Sequence, residues 1–369
     1  MAQLQDTTFA NLVLPEGTTA QRPGSPVAGM TRYNTSLNLI EFYDNGWRPV
    51  TGISKGTLGS GGQSIRYAGN SSSSQSGSIA HLFTTVGNHT FTPTFTGTVE
   101  VLIVAGGGSG GSHWGGGGGG GGVVHSRVYP VTNGSGINVT VGNFGARPTY
   151  PNRGNVGGNS IFGALTANGG GGGASWNAAS QVVSDGGSGG GGGTGDGRGS
   201  RERYLGGYGI TGQGFPGGSG VRFNSQTDNT HYSGAGGGAG GPGFSGPDSA
   251  YHGQVSDGGA GRASDIMGEP LYWGGGGSGT AHLGNGRRGP AGGIGGGGGS
   301  NFYHGGPRHP TSQHYGIGGG KALNNGQAGQ SIQHSGNGGT NTGGGGGGAN
   351  YGNQGNGNQG GTGIVIVRY

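Results

Sequence analysis

Residues 98–124 read TVEVLIVAGGGSGGSHWGGGGGGGGVV, and what this stretch can fold into governs the rest of the chain. Its first part, with Val99, Leu102, Ile103 and Val104, is an apolar run suited to a strand buried on both faces. Two glycine runs follow, Gly106–Gly111 interrupted by Ser109 and then Gly115–Gly122, joined by Ser112, His113 and Trp114. Glycine disfavours the α-helix by about 1 kcal/mol per residue relative to alanine, and no Gly-X-Y register with abundant proline points to collagen. The ordered conformer left is the threefold extended helix, with about 3 residues per turn, a rise of about 3.1 Å and no internal hydrogen bonds. Its N–H and C=O groups must be satisfied by neighbouring helices, which glycine allows to approach closely enough for N–H···O and weaker Cα–H···O bonds. An eight-residue run spans roughly 25 Å at that rise, so turns fall alternately at two ends and one end is expected to carry the bulky segments. A flexible coil is favoured by glycine's ordering entropy, but it leaves unexplained the apolar strands that bracket the runs.

Working outward, further runs occur at Gly169–Gly173, Gly186–Gly193 interrupted by Ser188, Gly274–Gly277, Gly295–Gly299 and Gly343–Gly348. They recur irregularly, which excludes a fixed-period solenoid. The final residues, TGIVIVRY (362–369), form a second apolar strand that could pair with the first and close 81–369 into one domain. Strands are also expected in HLFTTVGNHTFTPTF (81–95), TGTVEVLIVAGGG (96–108), VVHSRVYPV (123–131) and GINVTVGNFG (136–145). The glycine-rich domain thus divides into an opening β part (81–145), tracts and loops (146–361) and a closing strand (362–369). Before it, 53–80 has the Gly/Ser composition of a linker. Residues 1–52 read as a small β module, with Leu37–Asp44 alternating ahead of an Asn45-Gly46 turn. The expected fold class is mostly β and irregular: a β module, then strands framing a polyglycine II helix sandwich, with essentially no α-helix.

Composition sets outer limits. Glycine supplies 108 of 369 residues and the AVILMFWYC class 28%, against roughly 45–50% apolar content, glycine included, in ordinary domains; a conventional core cannot span the chain. Disorder wants high net charge and few aromatics, whereas the net charge here is +5 and aromatics run throughout. Basic residues are spread singly apart from Arg287-Arg288, which disfavours a nucleic-acid partner. Cysteine is absent, so neither disulfides nor thiolate metal sites contribute. No secretory leader or membrane-length apolar run is readable, and no membrane insertion is expected.

FTTVGNHTFT (83–92), TVEVLIVAGGGSGG (98–111), the glycine run with its following valines (115–124), INVTVGNFG (137–145), GGTNTGGGGGG (338–348) and TGIVIVRY (362–369) together resemble the glycine-rich domain proteins of phage tails, similar to polyglycine-sandwich adhesins that cap long tail fibres. RPGSPVAGMTRYNTSLNLIEFYDNGWRPV (22–50) is similar to a short β motif of phage tail and neck fibres, where it sits near trimeric segments. The resemblance implies a virion tail-fibre adhesin, extracellular after release from the infected bacterium. Its implied partners are a host outer-surface protein or glycan and other tail-fibre proteins, and its implied state is a homotrimer.

Glycine tracts have no side chains with which to discriminate partners, so candidate receptor contacts lie in the segments between them. These are His113 and Trp114; Arg153; Trp176; Arg201, Tyr204 and Tyr208; Phe223, His231 and Tyr232; Tyr251; Tyr272 and Trp273; and Phe302, Tyr303, His304, His314 and Tyr315. Aromatics and arginine are the types enriched at binding hot spots. The plain alternative is that Trp114, Trp176 and Trp273 cover the open edge of the sandwich. Gly118, Gly171, Gly191, Gly297 and Gly346 are expected to be structural. His304, His309 and His314 recur at five-residue spacing without a carboxylate or cysteine beside them, so no metal is expected. G-x-S-x-G matches at 107–111 and 186–190 arise by chance in so much glycine, and isolated carboxylates such as Asp185 and Asp257 form no catalytic pair; neither enzymatic activity nor a cofactor is expected. The rival readings are a self-assembling filament or virion scaffold, an ice-binding protein, for which the tracts are too irregular, and an RGG-type RNA binder, which lacks repeated Arg-Gly-Gly.

Overall fold

The computed structural model describes residues 14–36, 39–43, 47–54, 63–66, 79–176, 183–195, 201–224, 229–247, 256–282, 288–306, 309–330, 335–350 and 356–369. The chain divides into two compact units, Met1–Gly59 with Arg66–Ile79, and Ser60–Ile65 with Ala80–Tyr369. Strands are the ladder-bonded elements of both, and apart from the threefold glycine tracts the one helical element among the described residues is the short 3-10 turn Thr19–Gln21. No described helix is long and apolar enough to cross a membrane.

The first unit is a four-stranded sheet, β1 (Glu16–Gly17), β2 (Thr31–Asn34), β3 (Leu39–Tyr43) and β4 (Trp47–Ser54), in that order. β3 and β4 are antiparallel, with Tyr43 opposite Trp47; the intervening Asn45-Gly46 lies outside the described residues. A sheet this small needs an additional tie, and β2 and β3 supply one. Arg32 pairs across from Glu41, and the buried Glu41 carboxylate accepts from Arg22 Nε at 3.1 Å, Arg22 Nη2 at 2.6 Å and Asn34 Nδ2 at 3.1 Å. Both guanidinium groups lie 5.9 Å from the Trp47 ring centroid, close enough for cation–π attraction. The Arg22 bonds hold the Glu41 carboxyl below its usual range.

The second unit begins as a β-sandwich. One sheet has the order β5 (Gln63–Arg66), β6 (Ile79–Phe83), β21 (Ile364–Arg368), β8 (Gly97–Val104), β9 (Val123–Val131). The other has the order β12 (Leu165–Ala167), β11 (Ser160–Phe162), β10 (Ile137–Val141), β7 (Gly87–Phe91). The residues expected to form one strand over 81–95 therefore break into β6 and β7 on different sheets; Gly87, at φ 118°, adopts a backbone that L side chains rarely take. Gln63–Arg66, inside the Gly/Ser-rich stretch, is a strand at the sheet edge. Phe83, Val99, Val101, Ile103, Val365 and Val367 face Phe91, Val139, Val141, Phe162 and Ala167 across the core. The alternate residues Leu82, Leu102, Val104, Ile364 and Ile366 are buried as well, so β8 and β21 are covered on both faces, as the unbroken apolar run requires. β21 is antiparallel to both neighbours, with Val365 between Phe83 and Ile103.

Beyond Val104 the chain leaves the sheet and becomes a polyglycine lattice. The hydrogen bonds of the 115–122 tract display its symmetry. Gly115, Gly118 and Gly121 donate to Ala349, Gly346 and Gly343; Gly116, Gly119 and Gly122 donate to Ala174, Gly171 and Asn168; Gly117 and Gly120 donate to Gly234 and Gly237. Each partner recurs every third residue, as a threefold helix dictates. The carbonyls obey the same rule toward three other tracts: Gly116, Gly119 and Gly122 accept from Gly111, Gly108 and Ala105; Gly117 and Gly120 accept from Gly191 and Ser188; Gly118 accepts from Gly277. One helix is thereby bonded to six neighbours. Donor–acceptor distances along this tract run from 2.7 to 3.1 Å, normal for N–H···O.

The closeness of these helices explains the glycine. A Cβ on Gly118 would overlap the carbonyl oxygen of Gly108; on Gly171, that of Ser184; on Gly191, that of Gly234; on Gly297, that of Gly276; on Gly346, that of Asn358. The five glycines expected to be structural each point a Cα–H at a neighbour's carbonyl, the geometry of a weak Cα–H···O contact. Small residues enter where space allows: Ser109, Ala174, Ser188, Ala235, Ser278 and Ala349 are all buried in tracts.

Sheet and lattice share one register. The β8–β9 ladder ends with Val104 opposite Val123 and continues in step as Ala105 to Gly122, Gly108 to Gly119 and Gly111 to Gly116. The β8–β21 ladder, with Ile364 opposite Val104, continues as Gly107 to Gly361 and Gly110 to Asn358. Each strand pair runs straight on into a helix pair, its bonds now spaced by three residues.

Candidate recognition surface

Tract directions follow from these bonds. From the sandwich end, 105–111 runs outward and 115–122 returns, because their partners descend in number. The tracts 168–174, 188–193, 274–279 and 343–349 run outward again, being antiparallel to 115–122, while 234–237 returns parallel to it. The remaining passes alternate in the same way: 215–219 runs outward alongside 189–192, 316–319 returns against 297–300, and 358–361 returns against 107–110 into β21. Connections therefore fall at two ends. Those at the sandwich end include Ile210–Gly214 and the hairpin β16 (Arg262–Ser264) and β17 (Leu271–Trp273). Those at the far end carry the six-stranded sheet β13 (Arg201–Tyr204), β14 (Gly220–Asn224), β15 (Asn229–Tyr232), β18 (Ala281–His282), β19 (Asn301–Gly306) and β20 (His309–Tyr315).

The far-end segments are pinned at their base by small buried polar side chains. Ser112 Oγ donates to Asn152 O at 2.7 Å and lies 3.3 Å from Ser175 Oγ. Ser233 Oγ donates to Trp114 O at 2.6 Å and lies 2.8 Å from Thr280 Oγ1. Asn350 Nδ2 reaches Ala281 O and Asn301 O at 3.1 and 3.2 Å. These bonds join segments far apart in sequence, and each satisfies a group that would otherwise be costly to bury.

Above this base His113 and Trp114 make the reversal between the first two tracts, with φ of 46° and 48°, values uncommon for non-glycine residues and strained for a bulky one. Packing holds the turn there. The buried Trp114 ring stacks on His231 at 4.0 Å with an interplanar angle of 8° and meets Trp176 edge-on at 5.9 Å. His113 contacts Trp176 at 5.1 Å and Tyr150 at 5.3 Å. Burial pushes the His113 imidazole below its ordinary pKa. Outside the buried rings, Tyr150, Asn152, Arg153, Arg203 and Tyr315 are exposed and Trp176 is half-buried.

The candidate contacts thus divide. His113, Trp114, Arg153, Trp176, Tyr204, Phe223, His231, Tyr232 and Tyr315 sit at the far end, with His113, Trp114, His231 and Tyr232 buried as its foundation. Tyr232 packs edge-on against Phe223 at 6.4 Å, and the Tyr204 hydroxyl donates to Glu202. The backbones of Arg201, Phe302, Tyr303, His304 and His314 belong to the far-end sheet, with Phe302 opposite His314 and His304 opposite Ser312. Tyr208 is exposed on the flank, its N–H donating to Asp185 Oδ1 at 2.7 Å. Tyr272 and Trp273 lie at the sandwich end, Trp273 fully buried and Tyr272 half-buried. Tyr251 lies outside the described residues. Among the described residues no three His, Cys, Asp or Glu side chains are grouped to hold a metal ion.

The anchoring role of Ser112, Ser175, Ser233, Thr280, Asn301 and Asn350 went unrecognised in the sequence. Their one available signal was position: each stands at or within two residues of the end of a tract or strand. A comparison with curated proteins gives no match. Residues 83–369, from the last residue of β6 through the lattice and beyond β21, match the family model described as a glycine-rich domain, and the chain belongs to that family.

Proposed function

We propose that this chain is the receptor-binding tip of a bacteriophage tail fibre, a non-enzymatic adhesin of the virion that meets the host outside the bacterium it was made in. The observation that carries the reading is the gathering of aromatic and arginine-bearing connections at the end of the lattice away from the sandwich, pinned from below by buried hydroxyls and amides. A rigid base beneath exposed polar and aromatic segments is how scaffolds present binding loops. The resemblance of 22–50 to a fibre-associated β motif supports attachment to other fibre proteins and a trimeric state. The partner is a protein or glycan of the host outer surface; weak contacts multiplied over the fibres of one virion suffice to hold a cell.

The test is binding of fluorescently labelled protein to a panel of intact bacterial strains. For any strain bound, Arg153→Ala and Tyr150→Ala at the far end are expected to reduce retention at least several-fold with unchanged melting, and Tyr208→Ala on the flank to leave it unchanged. Exchange of residues 301–315 for the corresponding segment of another glycine-rich domain protein is expected to change which strains are bound. Equal retention by far-end variants and exchanged chains would remove the assignment, and endless fibres of purified protein in negative stain would favour a filament.

A further inference from the structure

We propose that β21 is a clasp that sets the register of the whole lattice, so that the glycine tracts stay unpacked until the slot between β6 and β8 is filled. A threefold glycine helix carries almost nothing that reads position along its axis: sliding one tract by three residues past its neighbour restores the same pattern of N–H···O bonds. Isolated residues such as Ser109 and Ala174 report a slip only where they meet a filled site. The sandwich reports it everywhere. A one-residue shift exchanges the valine face of β21 with its isoleucine face, and a two-residue shift carries the buried Arg368 away from Glu100, its ion-pair partner across from it on β8.

The lattice ladders leave the sandwich in step with β8–β9 and β8–β21, so the register fixed by side chains in the sheet is handed to helices that cannot fix it themselves. β21 follows every tract in chain order, and it is central: β6 pairs with β8 only through it. At synthesis rates of roughly 5–20 residues per second, the segment between β8 and β21 emerges over roughly tens of seconds with the slot open. Glycine suits that wait, because an unpacked glycine tract exposes no apolar side chain to aggregate. This inference is independent of what the far end binds.

Pulse-labelling hydrogen exchange during refolding of the full chain, read by mass spectrometry on fragments spanning 104–124 and 362–369, tests it. The expected result is that tract amides such as those of Gly108 and Gly118 gain protection together with β21 and never before it. Ile366→Val, a mild loss of volume in the clasp, is expected to slow both events by the same factor, roughly two- to ten-fold. Protection of 104–124 in a species whose β21 amides still exchange would overturn the proposal. So would an Ile366→Val chain whose tracts gain protection at the unaltered rate.

Discussion

In the sandwich, Ile103 of β8 and Val123 of β9 exclude water with side chains; a few residues away along the same two stretches of chain, Gly108 and Gly118 exclude it with none. The two regions share a backbone register, yet their cohesion differs in kind. Burying one of the large apolar side chains contributes about 1.5–3 kcal/mol, so the sandwich is held by a few strong contributions. A buried backbone hydrogen bond contributes roughly 0.5–1.5 kcal/mol net, and ordering glycine costs more than ordering any other residue. The lattice is therefore stable only in bulk, around central helices such as 115–122 that have neighbours on every side. The side-chain core tolerates a modest loss of volume, whereas the glycine core tolerates almost no gain.

Substitutions can break this contrast or sharpen it. Gly118→Val or Gly346→Leu is expected to abolish folding, because the added Cβ meets a main-chain carbonyl from a neighbouring helix rather than a side chain able to move aside; soluble yield and thermal melting measure it, and normal values for both variants would end the close-packed account. Phe162→Ala is expected to lower stability by about 3–5 kcal/mol while leaving a cooperative transition, read by denaturant titration. Ser188→Ala should be neutral or stabilising by up to about 1 kcal/mol, since among the described residues the buried Ser188 hydroxyl has no partner; a large loss would show that side chains matter inside the lattice. The smallest effect concerns pH. Burial favours neutral His113, so below about pH 6.5 the unfolded chain takes up a proton that the folded chain resists, and stability falls as the pH drops. His113→Asn, which tolerates the left-handed backbone, is expected to remove that component from the melting temperature between pH 7 and 5, leaving the sandwich unaffected.

Much of the sandwich and the lattice was legible, because unbroken apolar runs and unbroken glycine runs each leave a single ordered solution. The ends of the lattice were less so. Which end a connection occupies depends on counting reversals, and several passes, LGGYG at 205–209, FPGGS at 215–219 and PAGGI at 290–294, are too mixed to stand out as glycine tracts. Tyr272 and Trp273 were accordingly grouped with the recognition residues, although their hairpin lies beside the sandwich. The hydroxyls that pin the far end were illegible for a related reason: Ser112 or Ser233 looks in sequence like any turn residue, and only the convergence of distant segments gives it a partner. In the N-terminal unit the Arg22–Glu41–Arg32 cluster on Trp47 was hidden because its members are separated by apolar and turn residues that dominate the strand pattern.

The six-neighbour bonding of the 115–122 tract also has a mechanical side. A β-sheet resists load well in its own plane and poorly across it, since its hydrogen bonds lie in one layer and neighbouring layers are free to shear. A helix whose bonds leave in every third-residue direction has no such cleavage plane. Sideways force on the far end would be spread over bonds pointing all around this central helix, whichever way the pull came.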